Sequence, residues 1–244
     1  MSQHDGERPT GLGRADRGLR PTELPGAEGY LEAIFVLATE GGSVRAARVA
    51  DYLGVSPVSV SKSLQRLEKA GIVARRAPAV ELTAEGWREA ARVVRRHRLV
   101  ERWLSDGLGL GLVDAHREAE RLEHAFSSTV TEALWEKMGR PATCPHGNPI
   151  PDLTGSLPPV APAVPLSLAP AGVVRVDRLY EQLEGLEVML RWAESHGLVP
   201  GHTVEIYRER DRVVVACPGD SSGVEVPEAV ASRVLVVETG ALDT

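Results

Sequence analysis

Residues 43–71 read SVRAARVADYLGVSPVSVSKSLQRLEKAG, and this stretch decides the fold. Ser43 reads as the N-cap of a helix through about Leu53, which Gly54 then breaks. Ser56-Pro57 restarts the chain: serine caps, and proline takes the first helical position, where its missing N–H costs nothing. The helix so opened is expected to run to about Ala70 and stop at Gly71. Within it Val60, Leu64 and Leu67 fall on one stripe suited to a core, whereas Ser59, Ser61, Lys62, Gln65 and Arg66 fall on other faces.

Upstream, Tyr30 to Thr39 carries Leu31, Ile34, Phe35 and Ala38 at helical spacing and ends at Gly41-Gly42. Downstream, Ile72 to Arg76 and Ala79 to Leu82 read as two short strands joined near Pro78. Helix, glycine turn, helix and hairpin in this order make a winged helix-turn-helix. Any one capped amphipathic helix with a solvated face would argue nothing; the ordered set argues for DNA. Small hydroxyl and basic side chains suit a helix entering a major groove, and Arg75 and Arg76 sit where a wing meets the phosphates. With serine-rich contacts and few aromatics, recognition is expected to draw partly on DNA shape.

The rest of the chain reads as further units. At 244 residues it is too long for one small domain. The net charge of −6 speaks against a generally basic nucleic-acid binder, but a modular regulator needs positive charge only where it meets phosphate. Two cysteines, Cys144 and Cys217, form no disulfide framework and fit a reducing, cytoplasmic setting. No apolar run approaches the ~20 residues of a membrane span. Residues 1–25 are expected as a disordered tail, without the apolar core of a secretory signal. Its arginines Arg8, Arg14, Arg17 and Arg20 read as solvated.

Two long helices are expected over Ala84–Asp106 and Asp114–Lys137, separated by the turn Gly107–Gly111. Pro141 to Gly172 holds about half of the chain's 17 prolines and is read as a semi-extended linker. A helix near Leu179–Ser195 and the β-branched runs Thr203–Tyr207, Arg212–Ala216 and Val234–Glu238 then suggest a small β-rich terminal domain.

The two long helices carry the sharper chemistry. His97 and Glu101 stand at i and i+4 on the first; His116, Glu120, Glu123 and His124 lie within one face of the second. A lone His-x-x-x-Glu pair is usually a surface ion pair. Six such groups on antiparallel neighbours converge, and without a proton or a divalent cation among them their charges would repel. Nitrogen and oxygen donors suit Mn²⁺ or Fe²⁺, with Zn²⁺, Co²⁺ or Ni²⁺ as surrogates.

These residues, followed by Cys144-Pro-His-Gly-Asn-Pro-Ile-Pro151 and His196-Gly-Leu-Val-Pro-Gly201, resemble the diphtheria toxin repressor family of iron- and manganese-dependent regulators, from Tyr30 nearly to the end. The resemblance implies a mainly α protein with a small β C-terminal domain: a winged helix-turn-helix (26–90), a metal-binding and dimerisation domain (91–140), the linker (141–172) and an SH3-like domain (173–244). It implies a primary site of Glu120, Glu123 and His124, and an ancillary site of His97, Glu101 and His116, to which the SH3-like domain adds Glu181 and Glu184. It places Ser56, Pro57, Ser59, Ser61 and Lys62 at the DNA. It implies no enzyme and no small-molecule substrate, but a homodimeric repressor of metal-homeostasis genes on a palindromic operator.

Two departures matter. Iron-type members carry Cys where this chain has Glu120, and manganese-type members carry Glu, which favours Mn²⁺. The first-helix ligand position is Gly29, which has no side chain; Glu32, one turn on, matches a first-helix ligand of the manganese type, and Glu28 is adjacent. The resemblance sets the Cys144/His146 loop away from the metal sites, as a proline-fixed loop, and Cys217 is expected in the core. Two rival readings remain. One is a winged-helix regulator that is constitutive or answers a non-metal signal, with a degenerate site. The other is a metallohydrolase using His97, Glu101, His116 and Glu120, which lacks an obvious general base and leaves the winged domain unexplained.

Overall fold

A computed structural model describes residues 26–76, 78–181, 186–210, 212–219 and 222–239. The first unit is α1 (Ala27–Thr39), α2 (Ala46–Leu53), α3 (Pro57–Lys69) and the antiparallel hairpin β1 (Val73–Arg76) with β2 (Ala79–Leu82). Gly54 ends α2 in the left-handed region, and Ser56 Oγ caps α3 by accepting from the Ser59 amide at 3.2 Å. Val60, Leu64 and Leu67 are buried with Leu31, Ile34, Phe35 and Val49, so the stripe in α3 becomes core. Helix α2 starts later than Ser43 suggests, after Arg45, and no side chain caps it: Arg45 is held in a bridge to Ala79, and the Val80 amide donates to the Val44 carbonyl at 2.8 Å.

Thr83 Oγ1 caps the 25-residue α4 (Ala84–Leu108), which Gly109 closes. The second long helix is not continuous. It divides into α5 (Leu112–Leu122), a 3-10 turn at Glu123–Ala125 and α6 (Ser128–Lys137). The cause is local: Phe126 is extended and Ser127 caps a new helix, its hydroxyl accepting from the Val130 amide at 3.3 Å.

Strands β3 (Val164–Pro165), β4 (Gly172–Leu179), β5 (Thr203–Glu209), β6 (Arg212–Ala216), β7 (Val224–Glu225) and β8 (Val234–Glu238) form one antiparallel sheet in the order β3-β8-β4-β5-β6-β7. Helix α7 (Leu186–Ser195) and the short α8 (Glu228–Ala231) pack on it around Leu190, Val176, Val204 and Val236. Leu179, expected to open the helix, instead ends β4, because Val174, Val176 and Leu179 point inward from that strand; the described helix is Leu186–Ser195. Cys217, expected in the core, is exposed: it follows the last residue of β6 and leaves the sheet.

The proline-rich stretch is pinned at both ends. Its first turn closes on itself, Cys144 N–H to Asn148 at 2.9 Å and Ile150 N–H to Ala142 at 2.8 Å, and the His146 carbonyl accepts from the Leu179 amide of β4 at 2.8 Å. Gly147 sits at φ 83°, and a Cβ there would come 2.3 Å from the Asp177 carbonyl oxygen, so only glycine lets loop and strand meet.

Candidate metal centre and DNA-binding face

Helix α4 is the axle of the site. Successive residues of an α-helix point about 100° apart, so four in a row cover most of the circle. Arg95 reaches α6, pairing with Glu132 at 2.8 Å. Arg96 reaches α1, pairing with Glu28 at 2.8 Å. His97 faces Glu101, at 3.0 Å, and Glu123, at 2.7 Å. Arg98 reaches the C-terminal domain, pairing with Glu181 at 2.9 Å. This run thus holds three other parts of the chain and contributes one imidazole to the buried interior.

Around His97 the donors form three overlapping groups, in each of which all ligating atoms lie within 4.8 Å of one another: Glu32/His97/Glu123, His97/Glu101/His116 and Glu101/Cys144/His146/Glu181. Glu101, fully buried, is shared by the second and third. One of its carboxylate oxygens contacts His97 and, at 2.7 Å, His116; the other lies 3.4 Å from His146. Among the described residues, that second oxygen and His146 Nε2 are buried without a hydrogen-bond partner. Such orphaned atoms are costly, and the Glu101 oxygen, lying within a donor group that includes Cys144, His146 and Glu181, is one that a divalent cation would satisfy. The donor set, carboxylates and imidazoles with one thiol, fits a divalent transition metal.

The electrostatics agree. Burial raises the Glu32 carboxyl to about 7, with Glu123 and Glu181 adding to the rise and His97 opposing it. Burial works against charge on His97, but Glu101, Glu32 and the hydrogen bonds it donates to Glu101 and Glu123 outweigh it and hold the imidazole well above its usual range. Glu101 is held well below the carboxylate range despite burial, by His146 and His97. Burial, with Glu101 and Glu181 beside it, keeps the Cys144 thiol protonated. The metal-free cluster is therefore neutralised by protons, the condition in which a cation can replace them.

Of the residues read from the sequence, the structure gathers His97, Glu101, His116, Glu123, Glu32 and Glu181. It does not gather Glu120 and His124 with them. Glu120 is 61% exposed, 3.6 Å from His116, and His124 is 60% exposed, bonded at 2.8 Å to Glu28. Glu120 stands on the outer side of regular helix α5, and at the 3-10 turn that follows, Glu123 turns inward to His97 while His124 stays on the rim. Glu184 lies outside the described residues. The loop set aside as remote is the main correction: Cys144 and His146 are buried against Glu101 and Glu181, because Gly147 lets that loop dock on β4. The Cys-Pro-His spacing was the available signal. Glu28 stood out only as the neighbour of Gly29, and Arg96 and Arg98 carried none.

On the other side of the first unit, Ser56, Pro57, Ser59, Lys62 and Arg66 are exposed along α3, with Ser61 half-buried. Arg66 donates to Ser63 at 3.3 Å on the flank nearest α1. Arg75 and Arg76 are exposed on the hairpin, near Glu68 and Glu81. Val58, 64% exposed in the first turn of α3, leaves an apolar side chain among these polar ones.

Two family models match in tandem: the iron-dependent repressor N-terminal DNA-binding domain over residues 24–76, and the iron-dependent repressor metal-binding and dimerisation domain over 83–152. The iron-dependent repressor IdeR of Mycobacterium tuberculosis is 34% identical over 220 residues, 86% of this chain and 95% of that protein. This chain belongs to the diphtheria toxin repressor family. The diphtheria toxin repressor of Corynebacterium efficiens is 34% identical over 225 residues, 88% of this chain and 96% of its own. Among solved structures, a manganese-dependent transcriptional repressor in complex with manganese superposes with a TM-score of 0.75 at 32% identity, covering 86% of this chain and 98% of that one. The IdeR of T. acidophilum gives 0.72 at 30% identity, over 86% and 97%. Family membership accounts for the order of units: winged helix-turn-helix, helical domain, then a small antiparallel β domain. No helix among the described residues is long and apolar enough to cross a membrane.

Proposed function

We propose that this protein is a metal-dependent DNA-binding transcriptional repressor, acting as a homodimer on a palindromic operator of metal-homeostasis genes, with Mn²⁺ or Fe²⁺ as its signal. The observation that carries this is the convergence of Glu32, from the DNA-binding unit, with His97 and Glu123 of the helical unit on one buried cluster. The family supports the reading, as do relatives named as iron- and manganese-dependent repressors. So does the match to a dimerisation domain, where Trp103, Leu110, Leu122 and Phe126 leave a half-exposed apolar patch on α4–α5.

Glu32, His97 and Glu123, joined from the rim by Glu120 and His124, would hold one ion; Glu101, His116, Cys144, His146 and Glu181 would hold a second. A bound dication supplies a positive centre that carboxylates and imidazoles from separate elements share. Glu32 gives up its proton and draws α1 toward α4. Glu181, tied to Arg98 and Asn148, brings the C-terminal domain onto the same axle. Both recognition helices of a dimer are thereby held at groove-matched spacing, which is linkage between metal binding and DNA binding. The all-oxygen-and-imidazole set favours Mn²⁺; the cluster containing Cys144 admits softer ions.

The test is selection of binding sites from a random duplex library with Mn²⁺, then titration of the selected duplex with chelator and with Mn²⁺ or Fe²⁺. Metal-dependent affinity at a two-fold symmetric site is expected. Equal affinity with and without metal would instead establish the constitutive reading, which Gly29 favours.

A further inference from the structure

Glu28 is the second acid on the inner face of α1, one turn before Glu32. A single oxygen of it, Oε2, accepts both from Arg96 Nη2 and from His124 Nδ1, each at 2.8 Å. Arg96 is 17% exposed and Glu28 22%. Among the described residues the Nε of Arg96 is buried without a partner and Glu28 is the carboxylate its guanidinium meets, at a cost in desolvation. Its neighbours cannot substitute, since Arg95 and Arg98 are taken by Glu132 and Glu181. Arg96 therefore stands as a fixed cation across Glu28 Oε2 from His124, which itself lies 3.7 Å from Glu123, where the proposed function puts a metal ion.

We propose that Arg96 is a positioning residue that sets the metal threshold: it holds Glu28, and with it the start of α1, in the metal-free protein, and its charge opposes a cation at the neighbouring site. This rests on the metal-dependent reading above. Two consequences have opposite signs. Arg96 secures α1 without metal, and its positive charge lowers affinity for a dication a few ångströms away. Removing it loosens α1 and tightens metal binding, whereas a merely structural arginine, once removed, would weaken both.

The experiment compares the full-length chain with Arg96→Met, which keeps the apolar stem, and Arg96→Lys, which keeps the charge. Mn²⁺ alone is titrated into each, and amide hydrogen exchange across α1 is measured in chelator. For Arg96→Met the expected results are Mn²⁺ affinity higher by on the order of tenfold, the scale on which outer-shell partners act, and faster exchange in α1 without metal. Arg96→Lys should stay within about twofold of wild type in affinity, because the charge term is retained. In a Glu28→Gln background, Arg96→Met should no longer speed exchange in α1. Unchanged or weaker Mn²⁺ affinity in Arg96→Met would overturn the threshold role, and unchanged α1 exchange would overturn the clamp. If wild type itself binds no divalent metal, the metal-dependent reading falls with the threshold, while the exchange measurement still decides the clamp.

Discussion

Replacing Glu101 by Gln tests the centre most sharply, because this one carboxylate belongs to two of the three donor groups and is fully buried. The change keeps shape and removes a charge on which His97 and His116 rest. Removing one member of a buried ion pair costs ~3–5 kcal/mol, and the low end is expected here because an amide can still hydrogen-bond a neutral imidazole. At ~2–4 °C per kcal/mol for a chain of this length, the metal-free melting temperature should fall by about 6–12 °C. Metal response is the more specific readout. At a Mn²⁺ concentration one hundred times its dissociation constant, wild type gains about 2.7 kcal/mol, or about 5–11 °C. If Glu101→Gln costs ~100-fold in affinity, the same concentration gives about 0.4 kcal/mol, a shift of only about 1 °C. Thermal denaturation at pH 7, with chelator and with Mn²⁺, measures both. A variant that melts lower but keeps the full metal-induced shift would refute the reasoning, since Glu101 would then be holding imidazoles in place and touching no ion.

Four further outcomes are expected. Gly29→Asp should raise Mn²⁺ affinity without loss of stability, because a Cβ at Gly29 meets only Leu53 Cδ2 at 3.7 Å and an acid in the first turn of α1 gains ~0.3–1 kcal/mol from the helix dipole; calorimetric titration checks it. Glu120→Cys should move the order of activating metals from Mn²⁺ toward Fe²⁺ and Zn²⁺, read as half-saturating metal for operator binding under anaerobic, reducing conditions. Lys62→Ala and Val58→Ser should each weaken operator binding by ~1–3 kcal/mol if they reach a base edge or a thymine methyl, leaving Mn²⁺ affinity unchanged. Mn²⁺ affinity should rise with pH. The Glu32 carboxyl, raised to about 7, keeps a proton that favours the metal-free fold at low pH and is lost as pH climbs through that value; metal must expel it, so isotherms between pH 6 and 8 should show tightening with proton release, and a flat profile would mean that Glu32 stays outside the coordination shell.

Sequence alone determined whatever rests on local chemistry. Ser56-Pro57 opens α3 because the cap and the fixed φ of proline act within one turn, and Val60, Leu64 and Leu67 find the core because the helical period puts them on one side. His97, Glu101 and His116 were legible for the same reason, as groups spaced to share a face on adjoining helices. The tertiary structure alone decided what depends on where separate segments meet. A single 3-10 turn sends Glu123 inward and leaves His124 on the rim, and a rotation of that size leaves no periodic trace. Cys144 and His146 enter the centre only because Gly147 allows their loop to touch β4, a contact between residues about thirty apart. The four directions taken by Arg95, Arg96, His97 and Arg98 were implicit in the helix, but their partners, Glu132, Glu28, Glu123 and Glu181, lie between 26 and 83 residues away in the chain. Periodicity says which way a side chain points; only packing says what stands there.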